Sequence, residues 1–290
     1  MKAVFRYILE YVFYGNLFIA FATFCLYQQT MLQVSGSLKI DELSWIVFFG
    51  TIFVYDLARV IPVRLTHQQM YHYRYVWLLR NFYPVLLFGF GSLVICSILI
   101  FQIPSRDIIT LVLLAFVASF YNIPFLFKKT GLFRIRDISY LKSFLIALVW
   151  AGVTALLPAI DSGVKESIPG LAALFIERFL LILALMLPFD LRDVAEDKRF
   201  GIQTLAQVLG WKKSKHLSIL LISLSYLMAF AHDFMNYPGG LAWPAILLSA
   251  LFALLVLGKA KEDRGDFYFF GLVDGIIVFQ ALTFWVMYVL

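Results

Sequence analysis

Leu171-Ala-Ala-Leu-Phe-Ile-Glu-Arg-Phe-Leu-Leu-Ile-Leu-Ala-Leu-Met-Leu-Pro-Phe189 runs without a break into Asp190-Leu-Arg-Asp-Val-Ala-Glu-Asp197. The first part has the length and apolar character of a membrane-spanning helix, which needs about 20 such residues. The second part is acidic at the point where that helix would leave the membrane. On a helix the three Asp at i, i+3 and i+7 fall within an arc of roughly 60°. One helix face therefore carries a dense negative charge at a membrane boundary.

The rest of the chain repeats the apolar pattern. Of 290 residues 62% are hydrophobic and 14% charged, and the mean hydropathy is +0.87. Ordinary soluble domains do not reach these values. Continuous apolar runs, rather than alternating segments of about ten residues, exclude a barrel. The expected fold is all-α, with spans over 8–32, 43–63, 82–102, 107–127, 138–158, 171–189, 215–231, 240–258 and 267–289. Assigning Lys and Arg to alternate connections puts 20 on one side and only Lys39, Arg106, Lys165 and Arg178 on the other. Basic residues are retained in the cytoplasm, so the bias predicts nine helices, a cytoplasmic N-terminus and an external C-terminus.

Several function classes fall away. The net charge of +6 suggests nucleic acid only until its confinement to cytoplasmic loops is seen, which insertion alone explains. Cys25 and Cys96 both lie inside expected spans, so neither a disulfide framework nor a thiolate metal site is expected. Lys2 and Arg6 precede an apolar segment too long for a cleavable leader, and the first helix is expected to serve as the targeting signal. The reading is a single transmembrane domain over 1–290 in the inner cell membrane, with no protein partner inferred. Its long connections, at 64–81, 128–137 and 190–214, all face the cytoplasm.

In the last of these the acids matter most. Asp is a modest helix former, so three on one face cost stability without an obvious structural return. A cation would neutralise them, and an all-oxygen donor set suits Mg²⁺, which commonly bridges carboxylates to phosphates. A salt-bridged, solvated helix end is the competing explanation.

Arg192-Asp193-x-x-x-Asp197-x-x-x-Gly201-x-x-Thr204-Leu205-Ala206 resembles the second aspartate-rich motif of the UbiA superfamily of intramembrane prenyltransferases, especially its naphthoate-prenylating branch. Nine helices with this motif after the sixth agree with that family. The resemblance implies a UbiA-like bundle and a Mg²⁺-dependent transfer of an isoprenoid group from a polyprenyl diphosphate to an aromatic, quinone-precursor or other lipophilic acceptor. Asp193, Asp197 and Asp190 would be the catalytic residues, and Mg²⁺ would be held by Asp190, Asp193, Asp197 and Asp56. A terpene cyclase of the same superfamily and a non-catalytic lipid- or quinone-binding membrane protein are the alternatives.

The family's first motif, Asn-Asp-x-x-Asp-x-x-x-Asp, corresponds to Tyr55-Asp56-Leu57-Ala58-Arg59-Val60-Ile61-Pro62-Val63. Only Asp56 is retained. Arg59 stands in place of the second carboxylate, where it either pairs with Asp56 one turn away or supplies its planar fork to the diphosphate. Tyr121-Asn122-Ile123-Pro124 and Lys128 resemble the end of the family's fourth helix, although proline alone accounts for a helix end there. Lys142 enters the fifth helix early and can snorkel to phosphate. Together with Asp56, Arg59, Arg192 and Lys198, the residues Lys128, Lys142 and Tyr121 make up the expected diphosphate and substrate contacts. Asp274, deep in the last helix, and the aromatic segment 67–77, read as an interfacial helix, complete the candidates.

Overall fold

The computed structural model describes residues 2–65, 73–122, 126–128, 131–133, 141–163, 167–199, 203–236 and 242–289. Within them, the side chains of 2, 3, 58–65, 119–122, 126–128, 131–133, 196, 199 and 289 lie outside the description. The chain divides into two compact units, 1–24 with 40–104, and 25–39 with 105–290.

The first unit begins with α1 (Lys2–Tyr14) and the start of α2 (Leu17–Ser35), and holds α3 (Glu42–Leu65), α4 (Tyr73–Arg80) and α5 (Phe82–Leu99). The expected span 8–32 is in fact broken. Asn16 takes a left-handed φ of 60° between α1 and α2, a conformation that Asn tolerates better than most residues. The Tyr14-Gly15-Asn16 sequence carried that signal, since Gly and Asn punctuate helices. α3 packs along α5. Phe24, Trp45 and Phe48 form a ring cluster with centroids 5.5–6.4 Å apart. Of the expected interfacial helix, 67–72 lie outside the described residues. The remainder is α4, where Trp77 is buried edge-on against Tyr11 of α1 at 5.0 Å.

The second unit takes the end of α2 and adds α6 (Ser105–Asn122), a two-stranded antiparallel ribbon of β1 (Leu126–Lys128) and β2 (Gly131–Phe133), α7 (Leu141–Ala151) and α8 (Leu157–Ser162). After these come α9 (Ile168–Arg192), α10 (Val194–Arg199), α11 (Leu205–Asn236), α12 (Ala242–Lys259) and α13 (Gly275–Val289). A π-helical turn, Gly152–Leu156, joins α7 to α8, and another, Tyr268–Val273, leads into α13. Gly210 breaks α11 near its start with φ 72° and ψ 171°.

α9 is the axis of this unit, packed against α7 and, most extensively, against α11. Pro188 has no N–H to give the carbonyl of Ala184, which a regular helix would have paired with it. Ser218 of α11 supplies the replacement, its hydroxyl donating to that oxygen at 2.7 Å, and Ser225 donates likewise to the carbonyl of Glu177 at 2.9 Å. In an apolar surrounding such bonds hold helices together where lipid offers no hydrophobic gain for association.

Arg178 corrects the sequence reading. It had been counted with the external connections, yet it lies within α9 and is wholly buried. Its guanidinium donates to Glu177, to Gln33 at 2.8 Å and to Thr30 at 3.2 Å, while Gln280 of α13 donates to Glu177 at 3.0 Å. A charge in a membrane interior is kept by such partners. Elsewhere in the unit, Lys39 grips both carboxylate oxygens of Asp161 at 2.7 and 2.8 Å, tying the segment after α2 to the end of α8.

Among the described residues seven helical segments are long and apolar enough to cross a membrane: Leu17–Ser35, Phe82–Gln102, Leu141–Ser162, Ile168–Arg192, Leu205–Asn236, Ala242–Lys259 and Tyr268–Tyr288. The other two expected spans coincide with α3 and α6, helices of 24 and 18 residues that are not among those seven. α5 leaves Tyr83, Leu87, Phe90 and Ile98 exposed, an outward apolar surface suited to lipid.

Candidate active site

The acidic segment does not form one straight helix. α9 ends at Arg192, Asp193 takes φ −90° and ψ 7° as its cap, and α10 begins at Val194. The ladder nonetheless continues across the bend, with Asp193 N–H donating to the Phe189 carbonyl at 3.0 Å and Asp197 N–H to the Asp193 carbonyl at 2.9 Å. The three Asp thus remain close but acquire different partners.

Asp190 and Asp197, both buried, converge on one ammonium. Lys142 Nζ lies 3.1 Å from Asp190 Oδ1 and 3.1 and 3.2 Å from the two oxygens of Asp197. Ser143, the next residue on α7, donates to Asp190 Oδ2. Consecutive residues at the start of α7 therefore serve the same carboxylate. Sequence reasoning named Lys142 only as a phosphate ligand and missed Ser143 altogether, because both contacts cross between helices far apart in the chain.

Asp193 belongs to a different arrangement. Its carboxylate accepts from Arg192 Nε at 2.8 Å and Nη2 at 3.2 Å. The same guanidinium sits over three rings, Phe270 at 4.6 Å, Phe189 at 4.9 Å and Phe269 at 5.3 Å, with Asp266 at 3.8 Å. Desolvated cation–π contacts of this kind hold an arginine firmly. Arg192, expected at the diphosphate, is thus caged beside Asp193. Asp266, just before the second π turn, also faces this arginine.

Burial pushes the Asp197 carboxyl up to about 6; the Lys142 ammonium pulls the other way, and the charges of Asp190 and Asp193 add to the rise. The cluster is costly when all its acids are ionised, and a cation relieves that cost. Among the described residues, however, no three His, Cys, Asp or Glu side chains are gathered so as to hold a metal ion. The pair that does converge, Asp190 with Asp197, fits one small hard cation by its donor chemistry.

In the first unit Asp56 is buried on α3, and its Oδ1 accepts from Asn16 Nδ2 at 2.7 Å. α5 approaches it through Gly89, where a Cβ would stand 3.2 Å from both the Cβ and Oδ2 of Asp56. Neither Asn16 nor Gly89 had been singled out. Gly89→Val is expected to force this carboxylate aside and to cost about 1–3 kcal/mol of stability, as overpacking does; unfolding in detergent by thermal or denaturant titration measures it. The side chains of Arg59, Tyr121 and Lys128, and of Glu196, lie outside the described residues. On the backbone, α6 stops at Asn122, two residues before Pro124. Lys198 is exposed on α10. Thr204 is buried and caps α11, accepting from Gln207 N–H at 3.3 Å. Asp274 is buried at the end of the second π turn.

No curated protein sequence matches the chain. Solved structures do match it over nearly its whole length. A UbiA homolog from Archaeoglobus fulgidus bound to GPP and Mg²⁺ is 11% identical, with a TM-score of 0.64 over 96% of this chain and 99% of that one. A UbiA homolog from Archaeoglobus fulgidus bound to DMAPP and Mg²⁺ gives 12% and 0.55, over 94% and 99%. A structure concerned with digeranylgeranylglyceryl phosphate synthase in membranes gives 16% and 0.57, over 97% and 98%. At these identities the likeness establishes the fold. The model of the UbiA prenyltransferase family matches residues 84–273, from α5 to the last turn before α13 and through the whole acidic segment, and this integral membrane protein therefore belongs to the UbiA prenyltransferase family.

Proposed function

We propose that the chain is a Mg²⁺-dependent intramembrane prenyltransferase that moves an isoprenoid group from a polyprenyl diphosphate to an aromatic, quinone-precursor or other lipophilic acceptor. In this reading it is a single domain of nine spans in the inner membrane, with its N-terminus and its site at the cytoplasmic face. The observation that carries the proposal is the buried pair Asp190 and Asp197 converging on one cation position at the end of α9. GPP and DMAPP with Mg²⁺ on the Archaeoglobus fulgidus homolog support the donor class.

Magnesium, when bound, neutralises the diphosphate and makes it a better leaving group. The chain's own residues do the rest. Asp190 and Asp197 would hold the ion, Ser143 orients Asp190, and Asp193 is held beside them by Arg192. Lys142 and Lys198 offer positive charge to phosphate. Asp56, Arg59, Tyr121 and Lys128 are carried as contacts by the family resemblance alone. The allylic C–O bond breaks, diphosphate departs, and the acceptor forms the new bond and releases a proton. Apolar helix walls keep water from the reacting carbon.

Purified protein incubated with a series of polyprenyl diphosphates, Mg²⁺ and an acceptor panel should release diphosphate, and EDTA should stop the release. Binding of the donor without release would favour the other reading, a lipid-binding protein. That reading has one specific observation behind it, Arg59 and Val63 in place of the first motif's carboxylates. Product mass separates transfer from cyclisation.

A further inference from the structure

We infer that Lys142 is a resident counter-ion, occupying between Asp190 and Asp197 the position a divalent cation takes, and that entry of the cation releases its ammonium. This deepens the prenyltransferase reading and rests on it.

Three observations carry the inference. Lys142 is bonded to both carboxylates at once, at 3.1–3.2 Å, so its nitrogen stands at the point where their oxygens converge. Both acids are buried, with Asp190 2% and Asp197 6% exposed, and neither can be left uncompensated without a large desolvation cost. The guanidinium of Arg192 is taken up by Asp193 and the three Phe rings. Two positive charges cannot share one such point at short range in a partly desolvated site. A divalent ion therefore has to displace the ammonium.

Lysine suits this role better than arginine would. Its charge is compact and carried on a flexible four-carbon stem, so it can leave one set of oxygens and reach another. Lys142 is in the first turn of α7, where its side chain is 18% exposed. Once displaced, the ammonium is close to the ion and free to pair with the negative oxygens the ion brings in. Affinity for the metal alone is thereby lowered, because the lysine competes, while affinity for metal and diphosphate together is favoured. The site then charges fully only when substrate is present. Lys142 thus holds Asp190 and Asp197 in the empty site and meets the diphosphate in the loaded one.

The test uses the full chain in detergent with Mn²⁺ as the probe, bound metal being read by electron paramagnetic resonance without any diphosphate. Lys142→Gln and Lys142→Met should bind Mn²⁺ about tenfold more tightly than wild type, which corresponds to about 1.4 kcal/mol. Lys142→Arg, which keeps the charge, should not. A second measurement needs no variant: Mg²⁺ should raise acetylation of wild-type Lys142 by an amine-directed reagent, scored by mass spectrometry, above its level in buffer with EDTA. Unchanged or weaker Mn²⁺ binding in Lys142→Gln, or acetylation indifferent to Mg²⁺, overturns the counter-ion role. The prenyltransferase reading survives that result if Asp190→Asn still abolishes Mn²⁺ binding and diphosphate is still released. Absence of Mn²⁺ binding in every form overturns the counter-ion role, and diphosphate release that persists in EDTA overturns the magnesium dependence.

Discussion

Asp197→Asn is expected to lower diphosphate release by roughly 100-fold or more, the scale on which loss of one preorganised electrostatic group slows such reactions. Burial and two neighbouring carboxylates oppose the ionisation of Asp197 while Lys142 favours it, so a cation is needed beside it. The Asn variant keeps the shape and removes the charge. The fold should therefore persist, and detergent-solubilised yield and unfolding midpoint should stay close to wild type. Asp263→Asn, an exposed acid between α12 and α13, serves as the control and should leave release unchanged. Equal losses in both variants would mean that general surface charge, rather than the pair at the end of α9, governs the reaction.

The largest effect on stability is expected from Arg178→Leu. Removing the guanidinium leaves Glu177 buried with, among the described residues, only Gln280 to bond its carboxylate, and deleting one partner of such a pair costs about 3–5 kcal/mol. The double substitution Glu177→Met with Arg178→Leu should recover much of that loss, because no orphaned charge remains. Denaturant titration in detergent of the two variants decides the matter. If the single variant unfolds at the wild-type midpoint, the Arg178 cluster does not hold α9 to α2, and α9 is held by its contacts with α7 and α11.

Much of the fold was legible from hydropathy, and the reason is physical. Backbone polar groups inside a bilayer must be satisfied within the segment, so a long apolar run is a helix almost by necessity. The expected spans 82–102 and 171–189 accordingly lie within Phe82–Gln102 and Ile168–Arg192. Where helices continue beyond the apolar layer the same signal fails: 215–231 was expected, but after the break at Gly210 α11 continues to Asn236 through Lys212, Lys213 and Lys215. The break before α2 was readable from Gly15 and Asn16 and was overridden by apolar content.

The candidate site was legible in its acids and not in their partners. Spacing alone placed Asp190, Asp193 and Asp197 together. It assumed one continuous helix, which the bend at Asp193 interrupts, so it could not foresee that Arg192 would take one acid and Lys142 the other two. Ser143, Asn16 and Gly89 act through approaches between helices, which periodicity within a helix does not encode. Arg178 was visible as an ionisable residue inside an apolar run, and treating it as part of a connection concealed its meaning.

The Glu177–Arg178 pair has a consequence for biogenesis. The two charges sit about 15 Å from the start of α9, near the middle of the segment at 1.5 Å per residue. A lone helix bearing an arginine there meets a translocon penalty of about 2.5–3.5 kcal/mol. Gln33 and Thr30, which offset it, are made more than a hundred residues earlier in the chain. α9 is thus a segment whose lateral release into lipid depends on an already inserted N-terminal helix, and the order of synthesis matches that need.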